Sequence, residues 1–248
     1  MSEAPAADYA LTIIEALAMS PTFLGISDVS RITGINKNAV SRVLGSLCEN
    51  GWVYQDGVRY QLTLKPFRVV SGALTRMNFY TASQPYLNEL WELTGDSCYV
   101  GVPQGDAVLY IGHRDSTRDL KISGRVGGSY PLLTTAPGKV LLAYADEKYR
   151  SGYFEKNANN GEISETAFEK EAETIRKNGY ALDLEEYGPG IICAAAPVFG
   201  MDGNAVGTIG ISTSTVYCSY DELKNEKSRI VCEIAAKISS NLGFDANV

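Results

Sequence analysis

The stretch from Ile26 to Val53 leaves the chain little choice of fold near its amino-terminal end. Ser27 can cap a short helix that carries Val29 and Ile32 on its apolar face. Gly34 then sits at a turn that needs a left-handed backbone, which glycine adopts without strain. Asn36 can cap a second helix, whose apolar stripe is Ala39, Val40, Val43, Leu44 and Leu47 at i, i+3, i+4 spacing. Asn50 and Gly51 close it in the manner of a C-terminal cap. Two helices joined in this way form either a plain helical hairpin or a helix-turn-helix. The outward residues decide for the second reading: Lys37, Asn38, Ser41 and Arg42 are cationic and hydrogen-bonding types that reach base edges and phosphates in a major groove.

A wing follows directly. Trp52 to Gln55 and Val58 to Leu62 are short β-prone runs, and the Asp56-Gly57 pair between them is a strong two-residue hairpin signal. Arg59 then lies near the hairpin tip, within reach of the sugar-phosphate backbone or a minor groove. Ala10 to Leu17 supplies the first helix that three-helix packing requires. Charge agrees locally. Residues 26–76 hold seven basic and three acidic side chains, whereas the whole chain carries a net charge of −7. A modestly basic footprint on an acidic body fits a sequence-specific DNA binder with a separate regulatory domain, which needs two or more copies on one site.

At 248 residues the chain has room for two domains. The expected division is a short disordered tail over 1–7, a winged helix-turn-helix over 8–65, a linker helix over 66–82 and a second domain over 83–248. Pro66 can open the linker helix, which continues through Phe67, Val69, Val70, Ala73, Leu74 and Met77. Its apolar character suits packing on a second protomer or on its own chain. No run approaches the roughly 18–20 apolar residues of a membrane span, and the first residues do not form a signal peptide. The cysteines, Cys48, Cys98, Cys193, Cys218 and Cys232, are scattered, without a disulfide framework or a zinc pattern. A cytoplasmic setting is therefore expected, with no metal and no cofactor.

The second domain reads as α+β. Pro85 to Gly95 is expected as a helix opened by proline and closed by glycine. Ser97–Val102, Ala107–Gly112 and Asp119–Val126 read as strands, with a turn at Gln104 to Asp106. Ala136–Ala145 and Thr166–Asn178 read as helices, the latter closed by Gly179. Ile191–Phe199 and Ala205–Ser212 form a late hairpin, and Ser219 to Glu222 is a capping box for a final helix with Val231, Ile234, Ala235, Ile238 and Leu242 facing the core. Such a pattern suggests an antiparallel sheet covered by helices.

Two long motifs carry a resemblance to a known family. Gly127-Gly128-Ser129-Tyr130-Pro131-Leu132-Leu133-Thr134-Thr135-Ala136-Pro137-Gly138-Lys139-Val140-Leu141-Leu142-Ala143 and the run from Arg176 to Phe199 are similar to the two effector-domain signatures of the IclR family of bacterial transcriptional regulators. The resemblance spans residues 8–243. It implies a winged helix-turn-helix joined to a GAF-like effector-binding domain, in a dimer or a dimer of dimers on a near-palindromic double-stranded DNA operator, most often as a repressor. By motif matching it places an effector pocket at Ala136, Pro137, Asp183, Cys193, Gly210 and Ser212. Backbone N–H groups of Gly138 or Lys139, at the start of the Pro137 helix, can hold an anionic group such as a carboxylate or an aromatic acid. Gly210 departs from family members with a hydroxyl there. The expected consequence is added volume and a bulkier, less polar ligand.

An enzyme is the competing class. Gly138-Lys139 lacks the earlier glycine of a phosphate loop, and Gly127 to Pro131 lacks the last glycine of a nucleophile elbow. Cys193, Asp183 and the single histidine, His113, could make a nucleophilic constellation, but nothing in the sequence brings them together.

Overall fold

The computed structural model describes residues 5–74, 78–157 and 164–245, without the side chains of 70–74. The chain divides into two compact units, Met1–Arg76 and Met77–Val248.

In the first unit α1 (Pro5–Met19), β1 (Leu24–Gly25), α2 (Ile26–Thr33) and α3 (Lys37–Glu49) precede the hairpin β2 (Val53–Asp56) and β3 (Arg59–Leu62), followed by α4 (Lys65–Leu74). The stripe Ala39, Val40, Val43, Leu44 and Leu47 is buried, packed with Ile13, Leu17 and Val29. Asn36 Oδ1 accepts the Ala39 N–H at 2.9 Å, and Gly34 adopts φ 73°, as the cap and turn require. Asp56 faces Arg59 across a turn in which Gly57 has φ 57°. β1 adds a third strand beside β3, too short to leave a period in the sequence.

Several expectations fail here for local reasons. Ser27 does not cap α2. The helix begins two residues earlier than a Ser27 cap would place it, with Gly25 as the cap and Asp28 Oδ2 accepting the Gly25 N–H at 3.1 Å. Ile32 is 52% exposed, because the short α2 turns only Val29 into the core. Residues 5–7, expected in the disordered tail, form the first turn of α1, while 1–4 lie outside the described residues. In the linker, Phe67 and Val69 are exposed, whereas Met77 and the side chains of Val70, Ala73 and Leu74 lie outside what is described.

The second unit runs α5 (Asn78–Thr94), β4 (Ser97–Gln104), β5 (Ala107–Arg114), β6 (Ser129–Pro131), α6 (Ala136–Ala143), α7 (Glu147–Asn157), α8 (Glu165–Asn178), β7 (Ala181–Leu184), β8 (Ile191–Phe199), β9 (Ala205–Ser214), α9 (Tyr220–Glu222) and α10 (Ser228–Asn241). The strands make one antiparallel sheet in the order β6-β5-β4-β9-β8-β7. α5 and α10 pack on one face of it, and α6, with α8 against it, lies on the other. The core on that second face joins Leu132, Val140, Leu142, Phe168 and Ile175 to Tyr99 and Ala195 of the sheet. All eight residues of α6 are buried, Lys139 included.

Three readings are corrected. Pro85 does not open a helix but sits inside α5 on its exposed side, where its missing N–H leaves a carbonyl to solvent. Asp119–Val126 is not a strand: it is irregular chain, and Ile122, Ser123 and Gly124 within it line a cavity. Ser219 does cap α9, accepting the Glu222 N–H at 3.1 Å, but a π-helical turn (Leu223–Lys227) separates α9 from α10, and Leu242 is only half-buried.

Candidate functional site

Each unit presents a candidate site. In the first, the Asn36 cap fixes where α3 begins, and Ser30 Oγ donates to the Ile35 carbonyl at 2.7 Å, tying the turn to α2. The start of α3 is therefore held firmly. Lys37, Asn38, Ser41 and Arg42 are all exposed there. None of these side chains makes a hydrogen bond or ion pair with another described residue, so their polar groups are free for an external partner. Arg59 is exposed at the wing, with Nη1 donating to the Phe23 carbonyl at 3.4 Å. Val58, 80% exposed at the wing tip, and Tyr54 beside it were not singled out by sequence reasoning. Their exposure depends on which face of the hairpin the helices cover.

In the second unit a cavity of about 290 Å³ lies between the sheet and the irregular chain at 121–124. Its floor follows from strand register. Asp183 pairs with Cys193 and Cys193 with Ser212, a row across β7, β8 and β9. In the next row Ala195 pairs with Gly210, Gly210 with Tyr99 and Tyr99 with His113. A register shift between Val100 and Gly101 puts an extra residue into β5, which lets Tyr110 and His113 share a face although they are three apart. Tyr99 and Tyr110 stack at 4.6 Å and 7°, and Tyr130 closes on Tyr110 at 4.2 Å. Burial raises the hydroxyls of Tyr99 and Tyr110 well above the usual tyrosine range, so this aromatic wall is neutral.

Of the expected pocket residues, Pro137, Asp183, Cys193 and Ser212 line this cavity, whereas Ala136, Gly138 and Gly210 do not. The reading of Gly210 as added ligand volume is overturned. A Cβ there would lie 2.5 Å from Tyr99 Oη and 2.4 Å from the Ala194 carbonyl oxygen, so the space is already taken by Tyr99. Gly138 is likewise a packing residue, since its Cβ would meet Leu132 Cα and O at 2.4 Å. The helix-start anion site fails as well. The Gly138 N–H donates to Thr135 Oγ1 at 3.2 Å and the Lys139 N–H to the Thr135 carbonyl at 2.9 Å, so both expected donors are consumed by the cap.

Asp183 is fully buried. Its Oδ1 accepts N–H groups from Glu186 at 2.8 Å and Tyr187 at 3.3 Å, but Oδ2 has no partner. Burial raises the carboxyl above its ordinary value, opposed by those two N–H groups. Lys139 is buried with its ammonium 2.6 Å from Glu186 Oε1 and 2.8 Å from Glu171 Oε1, which holds the loop after β7 onto α6 and α8. Sequence reasoning missed this pairing, together with the tyrosines and the placement of His113. The cavity does bring His113, Asp183 and Cys193 together. Cys193 Sγ, however, lies 3.2 Å from Ser212 Oγ, and burial followed by the Asp183 charge raises its thiol far above the ordinary range. A thiol held protonated in this way is a poor nucleophile. Among the described residues no His, Cys, Asp and Glu group could hold a metal ion, and no helix is long and apolar enough to cross a membrane.

Comparison with known proteins identifies both domains. Residues 6–57 match the IclR helix-turn-helix domain, and residues 71–240 match the bacterial transcriptional regulator IclR C-terminal domain. The chain is 32% identical over 228 residues to the HTH-type transcriptional regulator KdgR of Escherichia coli K12, covering 89% of this chain and 86% of that one. It is 30% identical over 244 residues to the DNA-binding transcriptional repressor YiaJ of the same organism, covering 94% and 86%. The crystal structure of Thermotoga maritima IclR superposes with a TM-score of 0.78 at 25% identity, covering 97% of this chain and 99% of that one. The chain belongs to the IclR family of bacterial transcriptional regulators.

Proposed function

We propose that the chain is a ligand-responsive repressor that acts in the cytoplasm, as a dimer or dimer of dimers on a near-palindromic double-stranded DNA operator. The observation that carries this is the free polar face at the start of α3, beside a wing and on a rigidly capped helix. Lys37, Asn38, Ser41 and Arg42 contact bases and phosphates, and Arg59 holds the flank. Repression is supported by the similarity to a protein named as a repressor. A small organic effector occupies the cavity at Asp183, Cys193 and Ser212, with no cofactor or catalysis. It binds two arrangements of the protein unequally and so shifts operator affinity.

The test is a salt titration of binding to a duplex recovered from a random DNA pool. Arg42→Ala should weaken binding by about 5- to 150-fold, the equivalent of one base or phosphate contact, with an unchanged melting temperature. Wild-type affinity of Arg42→Ala at every salt concentration would remove α3 from the interface.

A further inference from the structure

We propose that Gly45 is the point of closest approach between α3 and the operator, where bare helix backbone lies against base edges on the floor of the major groove. This rests on α3 being the helix that reads the operator.

Glycine inside an α-helix is costly, because it loses more conformational freedom on folding than alanine does and leaves the peptide backbone open to water. A fold offsets that cost where φ is positive, or where a neighbour packs too closely to admit a Cβ. Gly138 in α6 is of the second kind, as its contact with the Leu132 backbone shows. Neither reason applies at Gly45. Its φ is not positive, and α3 runs unbroken through it from Lys37 to Glu49. A Cβ built on it would meet nothing within 4 Å, and the position is exposed. The fold of the first unit gives this glycine no role, so the group that needs the space lies outside the chain.

The neighbours of Gly45 identify that group. Asn38, Ser41, Arg42 and Gly45 follow i, i+3, i+4, i+7 spacing and share one face of α3, opposite the buried stripe of Ala39, Val40, Val43, Leu44 and Leu47. The three side chains are exposed on this face without partners among the described residues, and Gly45 is a notch beside them. A helix that enters a major groove with this face leading offers hydrogen-bonding groups to base edges over its first turns. Its backbone can close on the groove floor only where no side chain stands between. Glu49, one turn beyond Gly45, is exposed on the same face, and its carboxylate repels phosphates, so the DNA-facing part of α3 ends before it. Gly152, inside α7 of the second unit, has the same open space but lies outside the helix-turn-helix, which makes it the control.

The experiment measures two quantities on the full chain, the melting temperature and the affinity, at fixed salt, for a duplex recovered from a random DNA pool. Gly45→Ala should raise the melting temperature of the first unit by about 4–8 °C, through better helix propensity. The same variant should weaken operator binding by about 5- to 150-fold, because its Cβ intrudes on the DNA. Gly45→Leu should weaken binding further, again without a lower melting temperature. Gly152→Ala should keep the wild-type affinity. Wild-type affinity of Gly45→Ala overturns the proposal. So does a lower melting temperature, which would give the glycine a role within the fold. A loss no larger with leucine than with alanine also overturns it, since the glycine would then supply flexibility rather than space, and so does an equal loss in Gly152→Ala. Arg42→Ala separates the two levels. If Arg42→Ala weakens binding and Gly45→Ala does not, α3 still reads the operator and only the close approach is refuted. If both bind like wild type, α3 is not at the interface, and the reading beneath the proposal falls with it.

Discussion

Substituting Gly138 by alanine tests its role as a packing residue. A Cβ at this position falls 2.4 Å from Leu132 Cα and O and 2.6 Å from the Pro131 carbonyl oxygen. Ordinary contact needs about 3.5 Å, so α6 must move roughly 1 Å away from the chain that leaves β6. All three obstacles are backbone atoms and cannot rotate aside. Overpacking costs about 1–3 kcal/mol, and this site belongs at the upper end of that range. The better helix propensity of alanine returns up to about 1 kcal/mol. A net cost of about 2 kcal/mol lowers the melting temperature of a unit this size by about 4–8 °C. Scanning calorimetry of the full chain reads the change directly. An unchanged melting temperature would refute the packing argument.

Gly210→Ser should also lower the melting temperature, by an overpacking cost of about 1–3 kcal/mol, and Tyr99→Leu should restore only the part owed to the tyrosine, because the Ala194 carbonyl remains in the way. Leu44→Ala, at a fully buried position in α3, should cost about 2–5 kcal/mol and abolish operator binding by unfolding the first unit, as a separate early transition in circular dichroism. Asp183 gives a pH dependence. Its folded value lies above its unfolded one, so its charge costs stability at neutral pH, and that cost fades as pH falls through the raised value toward the ordinary carboxylate range. Asp183→Asn removes the titration. Denaturant melts should therefore show wild type gaining on Asp183→Asn as the pH is lowered, and a constant difference would mean that Asp183 is not desolvated.

What the sequence disclosed of this molecule follows the distance over which each feature is encoded. The helix-turn-helix was readable because Gly34, Asn36 and the Ala39–Leu47 stripe act within one or two turns of each other. The α6 start was readable from Pro137, yet the fate of its N–H groups was not, because Thr135 competes for them with any ligand. The cavity floor depends on register between β4 and β9, which lie far apart along the chain, so the meeting of Tyr99 with Gly210 left no local signal. A missing hydroxyl at Gly210 looked like free space, whereas it makes room for a ring from another strand. Asp119–Val126 alternates like a strand but finds no partner in the sheet, and its residues serve the cavity instead. The one cue to His113 was its isolation as the sole histidine, and only the extra residue in β5 turns it to the face it shares with Tyr110.

The most direct test of the account is thermodynamic linkage between the two units. The affinity of the full chain for a selected operator duplex would be measured by fluorescence anisotropy, at fixed salt, with and without a saturating small organic molecule selected by thermal shift of the full chain. The account predicts that the molecule changes Kd by about fivefold or more, equivalent to at least 1 kcal/mol of coupling. A Kd that stays the same while the compound is bound in the cavity would contradict it.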